Sequence, residues 1–230
     1  MLLDDPKSIV SEAFRVLRTN LQFAGVDKPL KKILITSSVP QEGKSLITSN
    51  LAISIASAGN KILLVDADLR RPKQQKNFLL ENYKGLSNLL AENLPLESVI
   101  NETKVENLHV LISGPVPPNP AEILGSAKMK KFIEEACSIY DMVLFDSPPV
   151  NSVADASILS ASMDGVILVV EAGSTEREAA MVAKQQLEKV NARILGVVLN
   201  KVEQKSGGYY YYYYYYGEDN KKIRKKKRRY

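Results

Sequence analysis

Six short runs dominated by apolar residues recur along this chain, most of them separated by segments of helical spacing. They are KILIT (32 to 36), KILLVD (61 to 66), LHVLI (108 to 112), MVLFD (142 to 146), GVILVVE (165 to 171) and RILGVVLN (193 to 200). A strand that alternates apolar and polar positions buries one face, whereas runs this uniform and β-branched bury both. Strand and helix in repeated alternation therefore predict an α/β fold: a doubly wound, mostly parallel sheet with helices on both faces. Ahead of the first run, Val10, Phe14, Leu17 and Leu21 follow one another at steps of 4, 3 and 4. That spacing predicts a helix over residues 8 to 24 with this stripe toward the core, ended by Gly25. The proline-rich SGPVPPNPAEIL (113 to 124) reads as an ordered loop leading into a helix near Ala121.

Periodicity stops near Gln204, which predicts a globular domain over residues 1 to 203 and a flexible tail over 204 to 230. The tail holds eight consecutive tyrosines, Tyr209 to Tyr216, followed by the basic KKIRKKKRRY. Rings at every position have neither a period of two nor of 3.6, so they cannot sort into a buried and a wet face. The tail also explains the charge. Glu218 to Tyr230 carries eight Lys/Arg against two Asp/Glu, a surplus of +6 within a total of +5, which leaves the rest of the chain at −1. A nearly neutral body excludes a nucleic-acid-binding face spread over the fold, and no nucleic-acid partner is expected.

Cys137 is the only cysteine, so no internal disulfide can form, and a reducing compartment fits. No basic, apolar leader opens the chain, and no apolar run reaches the roughly 18 residues a membrane span needs. The expected location is cytoplasmic, with any membrane association supplied by a partner or by the basic tail. Tyr83 and Tyr140 read as packing residues inside the fold, and His109, the sole histidine, as structural.

The chemistry gathers after the first run. TSSVPQEGKS ends in Gly43, Lys44 and Ser45, then a helix through about Ser57, which fits the last part of a phosphate-binding loop. Backbone N–H groups at a helix N-terminus cradle phosphate oxygens, a lysine supplies a point charge at the β/γ-phosphates, and a serine hydroxyl can ligate Mg²⁺. Gly43 lets the backbone come close. The departure from GxxxxGK[ST] is Ser38, which stands where the first glycine belongs. Asp66 and Asp68 end the second run on one side of the extended chain, and Asp146 ends a later one. In an open parallel sheet the C-terminal strand ends line one crevice, where three acids and a phosphate loop converge on a Mg²⁺–ATP complex.

At these residues the chain resembles a known family. TSSVPQEGKS is similar to the Walker A segment of the bacterial tyrosine kinases, ILLVDADLRR to their Walker A′ and MVLFDSPP to their Walker B. EAFRVLRTN (12 to 20), GPVPPNPAEIL (114 to 124) and a C-terminal tyrosine cluster are further shared features, so the resemblance covers essentially the whole chain. It is closest to the capsular-polysaccharide kinases of the CapB/CpsD type, whose kinase is separate from a membrane-spanning activator.

The resemblance implies a P-loop NTPase-type fold and ATP-dependent phosphorylation of protein tyrosine, the enzyme's own tail included, in control of capsular or exopolysaccharide synthesis. Carried over by position, Gly43, Lys44 and Ser45 bind phosphate, Ser45, Asp66 and Asp146 form the magnesium site, and Asp68 orients or deprotonates the acceptor hydroxyl. Asn200 resembles an adenine-edge contact. Tyr209, Tyr210, Tyr211, Tyr212, Tyr213, Tyr214, Tyr215 and Tyr216 are the implied phosphate acceptors. Glu12, Arg15 and Arg18, left outside the predicted stripe, match an ExxRxxR element that contacts the next subunit of a homo-oligomeric ring. The implied partners are that ring, protein tyrosine substrates and a membrane-spanning activator of the polysaccharide co-polymerase type, which would recruit the kinase to the inner face of the membrane.

Two other readings stay open at this level. A partitioning ATPase of the same superfamily would hydrolyse ATP, but such relatives carry an extra lysine five residues before the loop lysine, where this chain has Val39. A non-catalytic module would bind an anionic membrane surface through its tail, at roughly 1 kcal/mol per charge.

Overall fold

Each of the six apolar runs forms a strand, and a short seventh strand joins them. In chain order they are β1 (Lys32–Ser37), β2 (Ile62–Asp66), β3 (Asn101–Glu102), β4 (Leu108–Leu111), β5 (Met142–Asp146), β6 (Gly165–Glu171) and β7 (Ile194–Asn200). The computed structural model describes residues 5 and 7 to 203. The strands lie in one sheet in the order β3-β4-β2-β5-β1-β6-β7, with every neighbour pair parallel except β3 against β4. β3 is two polar residues long, so no apolar run announces it; the open edge of β4 makes the strand.

Alternate side chains of each central strand enter opposite hydrophobic layers. Leu34, Leu63, Val65, Val143, Phe145, Val166 and Leu168 pack into one cluster; Ile33, Ile35, Ile62, Leu64, Leu144, Ile167 and Val169 pack into the other. Both faces are covered, which is why these strands are apolar throughout instead of alternating. On the first layer lie α4 (Leu86–Glu92), α5 (Pro120–Leu124), α6 (Ala127–Ile139), α7 (Asp155–Ser160) and α8 (Arg177–Lys189). The second layer is formed by α1 (Ile9–Ala24) and α2 (Lys44–Ala56). Nearly every residue of α2 is buried, because its sequence, KSLITSNLAISIA, has no charged face to leave in water. Residues 9 to 200 belong to a single compact unit.

Three sequence expectations are corrected. Val10 is 62% exposed and does not join the α1 stripe; Phe14 and Leu21 are buried, and Ser11 turns inward in its place. Positions three and four before Phe14 both border its face, and the helix cap decides between them: Ser8 accepts from the Ser11 N–H (3.1 Å) and the Ser11 hydroxyl donates to Asp5 O (2.6 Å). Tyr83 is 78% exposed, so it is no packing residue, whereas Tyr140 is buried with its hydroxyl 2.7 Å from His109 Nδ1. Arg18 is only partly exposed, because one of its nitrogens is tied to α2, as described below. The domain boundary at 203 and the tail beyond it, with its tyrosine cluster, lie at and outside the limit of the described residues.

Candidate active site

β1 delivers the chain into a tight loop, residues 38 to 43, whose geometry depends on one acid. Glu42 is buried, and its Oε2 accepts from the Val39 N–H (2.8 Å) while its Oε1 accepts from the hydroxyls of Ser38 (3.3 Å) and Thr175. Asn200, at the end of β7, donates its Nδ2 to Glu42 O (2.8 Å). The loop is thus held from within by Ser38, from the turn after β6 by Thr175 and from the end of β7 by Asn200. Ser38, in place of the usual first glycine, contributes a hydroxyl to this network.

Gly43 follows with φ +91°, and a Cβ there would stand 2.2 Å from Asn200 Nδ2, so both the backbone angle and the close approach require glycine. α2 then starts at Lys44 with no side-chain cap on its N-terminus. The first N–H groups of such a helix have no intrahelical partner and carry the positive end of its dipole, which suits phosphate.

Lys44 is buried, its Nζ 3.0 Å from Asp68 Oδ2, 3.3 Å from Asp146 Oδ1 and 3.2 Å from Ser45 Oγ. Burial pulls the ammonium down, but Asp146 and Asp68 outweigh it and hold Lys44 above the ordinary lysine value. Asp66 and Asp146 are fully buried register partners on the neighbouring strands β2 and β5. Burial first, and then the charge of Asp146, push Asp66 up to about 8, although its Oδ2 accepts from the N–H groups of Gln74 (2.8 Å) and Lys73 (2.9 Å).

This donor set fits a magnesium ion. Two hard carboxylates beside a serine hydroxyl suit a cation that is commonly held by one or two carboxylates, with phosphate oxygens and water completing its shell. Among the described residues no group of three or more His, Cys, Asp or Glu side chains forms a metal cage of its own. Burial first, and then repulsion from Asp146, raise Asp66, and a divalent charge between the two acids would offset both.

The sequence reading brought together Gly43, Lys44, Ser45, Asp66, Asp68 and Asp146, and the fold does collect them at the C-terminal ends of β1, β2 and β5. Asn200 also reaches the loop. Glu42, Gln74 and Thr175 were missed, as was the pairing of Arg70 with Asp155. Arg70 Nε and Nη2 grip the buried Asp155 at 2.8 and 3.0 Å, fastening the loop after β2 to α7. Arg70 and Glu42 sit inside the quoted motifs but carry no spacing signal of their own, and Gln74 carries none at all.

Of the expected interface residues, Glu12 and Arg15 form an exposed pair at 2.7 Å. Arg18 instead donates from Nη1 to Ser54 O (2.7 Å), binding α1 to α2.

Comparison with known proteins gives matches of three kinds, to a sequence profile, to curated proteins and to solved structures. A sequence profile for the AAA domain matches residues 30 to 194. The chain is 46% identical over 198 residues to tyrosine-protein kinase YwqD of Bacillus subtilis, covering 86% of this chain and 84% of that protein. It is 42% identical over 194 residues to tyrosine-protein kinase CpsD of Streptococcus agalactiae, covering 84% of each. The solved kinase domain of the Escherichia coli tyrosine kinase ETK superposes with a TM-score of 0.86 at 35% identity, over 90% of this chain and 81% of that one.

Proposed function

The chain belongs to the bacterial protein-tyrosine kinases, and from that premise we propose that it transfers the γ-phosphoryl group of ATP to tyrosine hydroxyls, including Tyr209 to Tyr216 of a neighbouring copy. It is a nucleotide-binding protein of the AAA-domain class. One observation carries the proposal: a lysine at the start of α2 stands between Asp68 and Asp146, beside a serine hydroxyl and near a third buried acid, Asp66. A partitioning ATPase or a non-catalytic module accounts less well for 46% identity to a tyrosine kinase over most of both chains.

Each residue then has a distinct task. Gly43 and the N–H groups opening α2 receive phosphate oxygens, with Lys44 adding its charge. Ser45, Asp66 and Asp146 hold Mg²⁺, which supplies charge neutralisation on the phosphates when bound. Asp68 orients the acceptor hydroxyl and takes its proton; a phenol near pKa 10 is a poor nucleophile until such a base assists. Lys44 touches both the acceptor-side acid, Asp68, and the metal-side acid, Asp146, so one side chain keeps the two halves of the reaction in register. Asn200, already engaged with the loop through Nδ2, is assigned to the adenine edge.

The kinase works in a homo-oligomer to which Glu12, Arg15 and Arg18 contribute, with residues 1 to 203 as catalytic domain and 204 to 230 as substrate tail. Among the described residues no helix is long and apolar enough to cross a membrane. We assign recruitment to the inner membrane face to a membrane-spanning activator of the polysaccharide co-polymerase type, and the regulated process to capsule or exopolysaccharide synthesis, on the chain's similarity to the capsule-type tyrosine kinases. Mass spectrometry after incubation with Mg²⁺ and ATP tests the activity. Phosphate on several of Tyr209 to Tyr216 is the expected result; ATP hydrolysis with no phosphotyrosine would overturn it.

A further inference from the structure

Gln74 opens the four-residue helix α3 (Gln74–Asn77) and exposes no surface, yet it belongs neither to the phosphate loop nor to a carboxylate motif. Its Nε2 donates to Asp146 Oδ2 (2.8 Å) and to Ser45 O (3.1 Å). Its Oε1 accepts from Ser49 Oγ (2.7 Å) and from Asn77 Nδ2 (3.3 Å). Its backbone N–H donates to Asp66 Oδ2 (2.8 Å). One residue therefore touches the ends of β2 and β5 and the first two turns of α2. The orientation of the amide follows, since a flip would set acceptor against acceptor at Asp146 Oδ2 and Ser45 O and donor against donor at Asn77 Nδ2.

We propose that Gln74 is the positioning residue of the metal–nucleotide site: it fixes Asp146 through its side chain and Asp66 through its backbone, and it locks both to the helix that carries Lys44 and Ser45. The inference rests on the assignment of Asp66, Asp146 and Ser45 to magnesium. A carboxylate turns easily about its terminal torsion, because that rotation has broad wells. Holding Asp146 by Oδ2 stops the rotation and leaves Oδ1 on the side of Lys44, 3.3 Å from Nζ. Partners of this kind orient ligands without touching the metal, and their loss commonly weakens metal binding by about 10- to 100-fold. A four-residue helix has little stiffness of its own. The anchoring runs through Ser49 and Asn77, the latter donating to Ser49 Oγ at 2.8 Å.

The test uses the full chain with Gln74→Met, which keeps the bulk and removes the amide, and Gln74→Glu, which turns an oxygen toward Asp146. Binding of a fluorescent ADP analogue is titrated with Mg²⁺, and thermal melting in EDTA reports the fold. The expected result is a Mg²⁺ half-saturation raised about tenfold or more in both variants, with ADP affinity in EDTA within about twofold of wild type. In turnover, saturating Mg²⁺ should restore the KM for ATP more fully than kcat, a split that mere loosening of the fold would not produce. If neither variant folds, Ser49→Ala, which removes only the hydroxyl aimed at Oε1, is read in their place and should raise the half-saturation about threefold. Folded variants with wild-type Mg²⁺ dependence overturn the inference alone. A wild-type protein whose ADP affinity ignores Mg²⁺ overturns the metal assignment, and this inference with it.

Discussion

Asp66 and Asp146 face each other as register partners across β2 and β5, and neither reaches solvent. Burial first, and then the charge of Asp146, raise Asp66 to about 8, so the two carboxylates do not both ionise readily.

The first prediction concerns that proton. Unfolded, the Asp66 carboxyl ionises near 3.8; folded, it keeps its proton to about 8, so unfolding releases a proton anywhere between. With the folded value raised, this acid makes the fold progressively less stable as pH climbs through that window. Metal ligation needs the ionised form, so Mg²⁺–ADP binding at pH 7 should expel most of one proton and tighten as pH rises toward 8. Calorimetry in two buffers of different ionisation enthalpy counts the protons. Asp66→Asn should release none; a wild type that also releases none contradicts the raised acid.

Lys44→Met should abolish phosphorylation in its own active site without sparing its tail. Mixed with a chain that has an intact site but phenylalanine at all eight tail positions, the Lys44→Met chain should still gain phosphotyrosine. That outcome requires transfer between chains, and a mixture in which neither tail is modified would exclude it. Because Lys44 is buried against Asp68 and Asp146, the variant should also melt lower, its acids having lost their counter-charge.

On α1 the three ExxRxxR residues should separate into two classes. Arg18→Ala loses a charge-assisted bond to Ser54 O and should cost about 1.5–3 kcal/mol in chemical denaturation. Glu12→Ala and Arg15→Ala break an exposed pair, worth a few tenths of a kcal/mol. If Glu12 and Arg15 serve assembly, their double alanine variant should lower the mass seen by light scattering at an unchanged denaturation midpoint. An unchanged mass would remove them from the interface.

Arg70→Ala should destabilise the fold by about 1–3 kcal/mol, because it leaves the buried Asp155 carboxylate unpaired while the half-exposed guanidinium had kept some water. Arg70→Ala with Asp155→Asn should recover part of that loss. Denaturant titration of the two single variants and the double variant measures the coupling, and simple additivity would show that the pair contributes nothing.

Local pattern was enough for six of the seven strands and for the phosphate loop. A strand covered on both faces must be apolar at every position, and a phosphate loop must place glycine, lysine and serine in succession; both demands act on neighbouring residues and are legible one segment at a time. Asp66, Asp68 and Asp146 were legible for the same reason, each marking the end of an apolar run. The rest depends on residues far apart in the chain. Val10 and Ser11 compete for one inward direction, and the cap at Ser8 settles it; Arg18 finds a carbonyl 36 residues away on α2. Gln74 shows the limit most plainly. Nothing in PKQQKN sets it apart from Gln75, yet one amide meets Asp146, 72 residues away, and the other does not. Side-chain type and spacing determine which elements form and which chemistry they carry to the strand ends. Which buried donor meets which buried acceptor is decided only when β2, β5 and α2 pack together, because the cost of leaving any of them unpaired arises only once water has been excluded.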